Sequence, residues 1–144
     1  MSPSFAGEGF VDPDRETFRL FRELPLDEPV EMLNLVRLRE RAAYEDGHEA
    51  TGAEAYRAYG EHSRPIFERV GGRIVWSATP QLVLIGPGDE AWDVAFVARY
   101  PTGQAFVDMV RDPDYRAIVH HRQAAVATSR LIRTRPRAAG QGFG

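Results

Sequence analysis

The sequence contains neither cysteine nor lysine. Because none of the 144 residues is Cys, disulfide bonds, thiolate chemistry and cysteine metal sites are all excluded. All 18 basic residues are arginine, which excludes a Schiff base on a lysine side chain and the lysine of a phosphate-binding loop. Each arginine instead carries a permanent charge on a planar group whose geometry suits carboxylates.

Long apolar runs and an excess of positive charge are missing as well. No stretch approaches the roughly 18–20 apolar residues that a membrane span needs, and residues 1–9 lack the basic and apolar regions of a signal peptide. The formal charge of −3 at pH 7 gives no electrostatic reason to expect nucleic acid or an anionic membrane as a partner. We therefore expect a cytoplasmic protein that binds neither.

The most informative feature is the order of the periodic segments. Between Glu31 and Arg133 the pattern reads strand, helix, strand, strand, helix, strand, which predicts an α+β, ferredoxin-like βαββαβ domain. Such a sheet carries helices on one face only, so its other face is uncovered unless something packs on it. A homodimer is therefore the expected assembly.

Local signals give the boundaries of these segments. The first strand is predicted over Val30–Leu38, and a capping box formed by Thr51 and Glu54 begins a helix that runs to about Arg69. The remaining predicted segments are a strand from 73 to 77 that resumes at 81–85 after Thr79-Pro80, a strand over 92–100, a helix from 101 that breaks at Asp112-Pro113, a helical piece over about 114–126, and a strand over 129–133.

Three regions follow from this pattern. Residues 1–29 form an N-terminal extension in which residues 1–12 are expected to be loose and about 14–24 form an amphipathic helix that ends at Pro25. Residues 30–134 form the ferredoxin-like domain. Residues 135–144 are rich in Gly, Ala and Pro and are expected to form a flexible tail.

Four stretches resemble one protein family. They are MLNLVRLRE at 32–40, TGAEAYRAYGEHSRPIFERVGGRIVW at 51–76, WDVAFVARYPTGQAF at 92–106 and DPDYRAIVHHR at 112–122. Together they resemble the uncharacterised domain of unknown function 1330. This resemblance implies a dimeric α+β barrel, in which two ferredoxin-like sheets face each other. The wider group includes small monooxygenases, muconolactone isomerase and haem-dependent enzymes, whereas the helix before Pro25 is not part of the family pattern.

Polar side chains interrupt two apolar surfaces of the predicted core. Tyr56, Tyr59 and Ser63 lie on the stripe of the 51–70 helix that should face the sheet, and Asn34 lies inside the apolar first strand. Two interpretations are open for each of them. The tyrosines and Asn34 bind a small ligand in a cavity, or the rings pack, the hydroxyls reach backbone or water, and the amide bonds across the sheet.

Arg122 is the clearest anomaly of the sequence. It falls in the centre of the apolar stripe of the last helix, where a charge needs a partner. The functional interpretation is an arginine that binds a carboxylate or enolate between helix and sheet. There are two structural alternatives. Arg122 forms an ion pair, with Asp93 on the third strand as the expected partner, or its side chain extends to the surface.

The four histidines show no metal-binding spacing. His48, His62 and the adjacent pair at 120–121 are scattered, so we expect no metal site, and no motif indicates a cofactor. His121 and His62 are the candidates for acid–base catalysis, with a solvated histidine as the alternative.

Two functions are consistent with these observations. In the first, the protein binds or transforms a small, possibly anionic molecule between sheet and helices, with isomerase- or monooxygenase-like proton transfer or oxidation. Asn34, Tyr56, Tyr59 and Arg122 bind the substrate, and His121 or His62 moves protons. In the second, the protein is a non-catalytic interaction module built around its homodimer.

Overall fold

The computed structural model describes residues 9–140 and 142–143. Its elements, in chain order, are helix α1 (Arg15–Glu23), strand β1 (Val30–Leu38), helix α2 (Gly52–Arg69), strand β2 (Arg73–Ala78), strand β3 (Val94–Tyr100), helix α3 (Gly103–Arg111), helix α4 (Pro113–Ile118), helix α5 (His120–Ala125) and strand β4 (Val126–Thr134).

The four strands form one antiparallel sheet in the order β2-β3-β1-β4. The first and third strands of the chain are therefore the central pair, as in the split-βαβ arrangement. The predicted ferredoxin-like α+β fold is confirmed. The register of the central pair places Met32 opposite Ala98 and Leu33 opposite Val97, which fixes the residues that share each face of the sheet.

Helix α2 begins where the sequence signal places it. The Thr51 side chain accepts a hydrogen bond from the Glu54 backbone N–H, and the Glu54 carboxylate accepts one from the Thr51 backbone N–H. Pro65 lies inside the helix, and Gly71 follows its end with a φ of 88°. Only glycine adopts this left-handed conformation without a steric penalty, so the residue marks the turn into β2.

The core lies between one face of the sheet and the helices. Met32 and Ala98 from the sheet pack with Ile66 of α2 and with Phe106 and Met109 of α3, and all five residues are buried. Since side chains alternate along a strand, Asn34 lies on the same face as Met32. The predicted polar intrusion on β1 therefore faces the helices.

The opposite face of the sheet carries an apolar row. Trp76 pairs with Val97, Val97 with Leu33, and Leu33 with Ile132, so that one side chain from each strand forms the row. Trp76 is 50% exposed and Ile132 is 47% exposed. The row is therefore partly open to solvent in a single copy of the chain.

Three predicted segments were wrong in part. The strand does not resume at 81–85, where Leu82, Leu84 and Ile85 are 79%, 84% and 93% exposed in a loop. Instead of one helix over 114–126, two short helices meet at Val119. Strand β4 consequently begins at Val126, before the predicted 129, because the chain at 126–128 already pairs with β1.

The N-terminal extension contributes the predicted helix α1, capped by Asp14. The ring of Phe21 lies 5.0 Å from that of Phe106, and the Arg133 guanidinium donates hydrogen bonds to the carbonyl oxygens of Phe21 and Pro25. Most of residues 1–12, which were expected to be loose, lie outside the described part of the chain, and so do two residues of the expected flexible tail. Both expectations therefore stay predictions.

Candidate functional site

A cleft of about 1850 Å³ opens between the helix-bearing face of the sheet and the helices. Helix α1 forms one wall, and the interior is lined by aromatic and aliphatic side chains that include Phe67, Phe96, Phe106 and Met109. The four predicted binding residues all line this cleft: Asn34, Tyr56, Tyr59 and Arg122.

Three tyrosines gather at one end of the cleft. The hydroxyl oxygens of Tyr59 and Tyr115 lie 3.0 Å apart and share a hydrogen bond, and the ring of Tyr56 is 5.8 Å from that of Tyr59. Burial raises the pKa of all three hydroxyls, and the positive charge of Arg122 partly opposes this rise. The three groups are therefore protonated near neutral pH. One proton of the Tyr59 and Tyr115 pair is used in their mutual hydrogen bond, so the other hydroxyl of the pair and that of Tyr56 can donate to a ligand.

Arg122 lines the same cleft as these tyrosines, and it is not paired with Asp93. Its guanidinium donates to the backbone carbonyl oxygen of Val11 and, over 3.2 Å, to Oγ of Ser129. The ion pair with Asp93, which was one structural alternative for Arg122, is not formed: Oδ2 of Asp93 instead accepts a hydrogen bond of 2.7 Å from the Leu38 backbone N–H. The charge thus stays on the apolar stripe among neutral partners, with the N-terminal extension supplying one of them.

Asn34 does not bond across the sheet, which was one of its two interpretations; the other, contact with a ligand, stays a prediction. Its Nδ2 donates a hydrogen bond of 3.0 Å to the Met32 carbonyl oxygen on the same strand. The amide is therefore satisfied locally while the side chain still lines the cleft. The amide retains its second N–H, which can donate to a ligand, and its oxygen, which can accept from one.

Arginine dominates the charge of the cleft. Nine arginines line it against three acids, although the whole chain is acidic. The arginines are Arg15, Arg22, Arg64, Arg73, Arg111, Arg116, Arg122, Arg130 and Arg133; the acids are Asp12, Asp14 and Glu68. Such a local excess of positive charge favours anions at the cleft even on a protein of negative net charge.

The two predicted acid–base residues lie together but not in this cleft. The rings of His62 and His121 stack with centroids 5.2 Å apart, and Nδ1 of His121 lies 2.6 Å from the Tyr44 hydroxyl. Neither histidine is among the residues that line the cleft. His121 and Arg122 are separated in this way because adjacent residues of a helix point about 100° apart.

Sequence reasoning assigned no binding role to Tyr115, Ser129 or Tyr44. Tyr115 follows the Asp112-Pro113 break, and that short motif was the available signal for a residue at the start of a helix beside the cleft. Nothing in the local pattern indicates Ser129, whose contact with Arg122 depends on the tertiary fold.

Comparison with known proteins gives the family. The family described as "Domain of unknown function (DUF1330)" matches residues 47–134. The chain belongs to this family. The resemblance found in the sequence is confirmed, and it carries no established activity with it. Among proteins with curated function, none matches this DUF1330 chain.

The chain is also similar to solved structures. RPA0582, a protein of unknown function from Rhodopseudomonas palustris, is 57% identical over 91% of this chain and 99% of its own, with a TM-score of 0.87. Its methylated form is 57% identical over 92% of this chain and 98% of its own, with a TM-score of 0.89. An uncharacterised NIPSNAP-like domain protein from Burkholderia xenovorans is 14% identical over 82% of this chain and 93% of its own, with a TM-score of 0.51, and shares the fold alone.

The described residues offer neither a metal site nor a membrane span. No group of three or more His, Asp or Glu side chains among them is arranged to hold a metal ion. None of the helices in the same part of the chain is both long enough and apolar enough to cross a membrane.

Proposed function

We propose that this DUF1330 protein binds a small molecule with an apolar body and a carboxylate or enolate group in the cleft between sheet and helices. The observation that carries the proposal is that Arg122 lines the same cleft as Tyr56, Tyr59 and Tyr115, whose hydroxyls are protonated near neutral pH. A guanidinium together with phenolic donors is a suitable partner set for an anionic oxygen.

The energetic argument begins with the cost of a half-buried charge. Arg122 has a carbonyl oxygen and a hydroxyl as its partners, and no acid among the described residues bonds to its guanidinium. A ligand carboxylate would supply the opposite charge. Hydrogen bonds to charged groups contribute about 1.5–3 kcal/mol each, so this contact would be a main source of affinity.

The remainder of the cleft supports an apolar body. Its wall includes Phe67, Phe96, Phe106 and Met109, side chains that contribute through buried area and have no polar group to orient a ligand. Small-molecule sites combine such a lining with a few placed polar groups. The excess of arginine among the lining residues then favours anions among apolar ligands of similar size.

Catalysis is a separate question from binding. His121 and His62 are outside the residues that line the cleft, so the proposal assigns them no contact with the ligand. Isomerase- or monooxygenase-like chemistry, with proton transfer by these histidines, stays a prediction. Its test is turnover of a bound carboxylate by wild-type protein and by His121→Gln.

The binding experiment uses charge-matched variants. Isothermal titration with a panel of aromatic and medium-chain carboxylates identifies a binding probe, which is then titrated into Arg122→Gln and Arg57→Gln. Arg57 is an exposed residue of α2 that does not line the cleft. We expect Arg122→Gln to weaken binding by about tenfold or more and Arg57→Gln to leave it unchanged. Equal affinities in all three proteins would contradict the assignment.

We also propose that two copies of the chain associate through the open face of the sheet. The supporting observation is the row Trp76, Val97, Leu33 and Ile132, which crosses all four strands. Contiguous exposed apolar surface on a protein of this kind marks an interaction site. The second copy is the occupant because the same face, turned by a two-fold axis, offers a matching row. A ligand-binding protein and a non-catalytic interaction module would both form this dimer, so it does not distinguish between them.

A further inference from the structure

All four histidines of the chain lie in one cluster with Tyr44. The Tyr44 ring stacks on that of His48 with centroids 3.7 Å apart, and it meets His121 at 5.5 Å and His120 at 6.2 Å. The rings of His120 and His121 are 4.1 Å apart, and His62 stacks on His121 at 5.2 Å. The fold thus brings together side chains as distant in sequence as Tyr44 and His121, which are 77 positions apart.

The cluster joins three parts of the fold. Tyr44 and His48 belong to the loop 39–51, His62 to α2, and His120 and His121 to α5. The base of the loop is held by backbone hydrogen bonds, since the N–H groups of residues 39 and 43 donate to the carbonyl oxygens of residues 125 and 124 over 2.8 Å and 2.9 Å. The tip of the loop, residues 44–49, contacts α5 through the aromatic rings, and His121 in turn stacks on His62 of α2.

The charges around His121 are mostly other imidazoles. Burial lowers the pKa of His121, and the positive charges of His120, His62 and His48 lower it further. One acid faces the group from the loop: Oδ1 of Asp46 accepts a hydrogen bond from the His48 backbone N–H over 3.0 Å and lies 2.8 Å from His48 Nδ1. The negative charge of Asp46 also acts on His120, whereas positive charges on neighbouring imidazole rings repel one another.

The ring geometry favours this electrostatic role over metal binding. His62 and His121 are stacked at an interplanar angle of 15°, so their in-plane nitrogen lone pairs do not converge on one point between the faces. The absence of a metal-binding group within the described residues agrees with this geometry.

We propose that this cluster is a pH-sensitive latch that holds the tip of the 39–51 loop on α5 and, through His121, on α2. With neutral imidazoles, Tyr44 bonds to His121 and the rings pack. Protonation of the cluster places like charges on imidazole rings whose centres are 4.1 Å and 5.2 Å apart and detaches the tip, while the backbone bonds at the loop base remain. The latch is independent of the ligand proposed for the cleft.

Native-state hydrogen exchange followed by NMR tests the latch. Protection factors, corrected for the intrinsic pH dependence of exchange, are compared at pH 7.5 and pH 5.0 for the amides of residues 43–49 and of β1. We expect loop protection to fall about tenfold or more at the lower pH, while β1 protection changes much less. Loop protection that is equal at the two pH values would overturn the proposal.

The variant His121→Gln tests whether the pH dependence of loop protection comes from the cluster. Its glutamine side chain cannot be protonated but retains an amide that can bond to the Tyr44 hydroxyl, so we expect loop protection in this variant to change less than about threefold between the two pH values. A pH effect as large as in the wild type would contradict the role of His121. In wild-type protein alone, the His121 imidazole proton signals must titrate with the same midpoint as the loop amides; unrelated midpoints would also overturn the latch.

Discussion

The hydroxyl groups of Tyr59 and Tyr115 are bonded to each other at 3.0 Å, one from α2 and the other from α4. This bond joins the two helices that form the polar end of the cleft. It occupies the proton of the hydroxyl that acts as donor in the pair and leaves acceptor capacity on both oxygens. A ligand carboxylate that accepts a hydrogen bond from the donor tyrosine would therefore replace the bond between the two hydroxyls.

Removal of one hydroxyl should affect stability and binding in different ways. Tyr59→Phe retains the ring but loses the hydrogen bond, so we expect the free energy of unfolding to fall by about 1 kcal/mol. The affinity for a carboxylate probe should fall with it. Urea denaturation and titration calorimetry measure the two effects. A variant with unchanged affinity would show that this hydroxyl does not contact the ligand.

The capping box at the start of α2 provides a test of local structure. Thr51→Ala removes the side chain that accepts from the Glu54 N–H, and we expect a loss of about 1 kcal/mol in the free energy of unfolding. Thr79→Ala is the matched control, because Thr79 is exposed in the loop after β2. Equal unfolding midpoints in urea for the two variants would show that the cap does not stabilise the fold.

The stability of the protein should depend on pH through His121. Its pKa in the folded state is below the ordinary value of 6.5, so between these two pKa values the unfolded chain binds more protons than the folded one. The free energy of unfolding therefore rises with pH across this window and reaches its full value above 6.5. It decreases as the pH falls towards the folded-state pKa. Urea unfolding at a series of pH values measures the slope, and His121→Gln should make it shallower.

A charge at the centre of the open face of the sheet should prevent dimer formation. Leu33→Arg places a cation in the apolar row, and we expect this variant to be monomeric at micromolar concentrations where the wild-type protein is a dimer. Ala53→Arg, at an exposed position of α2, is the control and should stay dimeric. Analytical ultracentrifugation separates the outcomes. A wild-type protein that is monomeric at this concentration would contradict the proposed association through the sheet.

Strong local signals made most of the fold predictable. The apolar run Val30–Leu38 became β1 with the same bounds, and the capping box placed the start of α2. The failures lie where tertiary pairing outweighs local preference. Val126 enters β4 because it pairs with Leu38 across a bulge, and residues 81–85 have no partner strand in the described sheet despite their β-forming side chains.

The candidate site was predictable in part for a related reason. Polar residues on apolar stripes can be found from periodicity, which is why Tyr56, Tyr59 and Arg122 were identified and do line one cleft. The partners of Arg122 could not be found in this way. Val11 belongs to an extension whose position depends on the folded domain, and Ser129 is brought close by the pairing of β4 with β1. The histidine cluster could not be predicted for the same reason, because its members come together only in the folded chain.

The most direct test of the central claim compares two ligands of nearly identical shape. Wild-type protein is titrated by calorimetry with an apolar carboxylate and with the corresponding neutral amide. If the cleft binds the anion through Arg122 and the tyrosines, the carboxylate should bind at least about tenfold more tightly than the amide, and Arg122→Gln should remove most of this difference. Equal binding of the acid and the amide, or binding of neither by any member of the panel, would contradict the account.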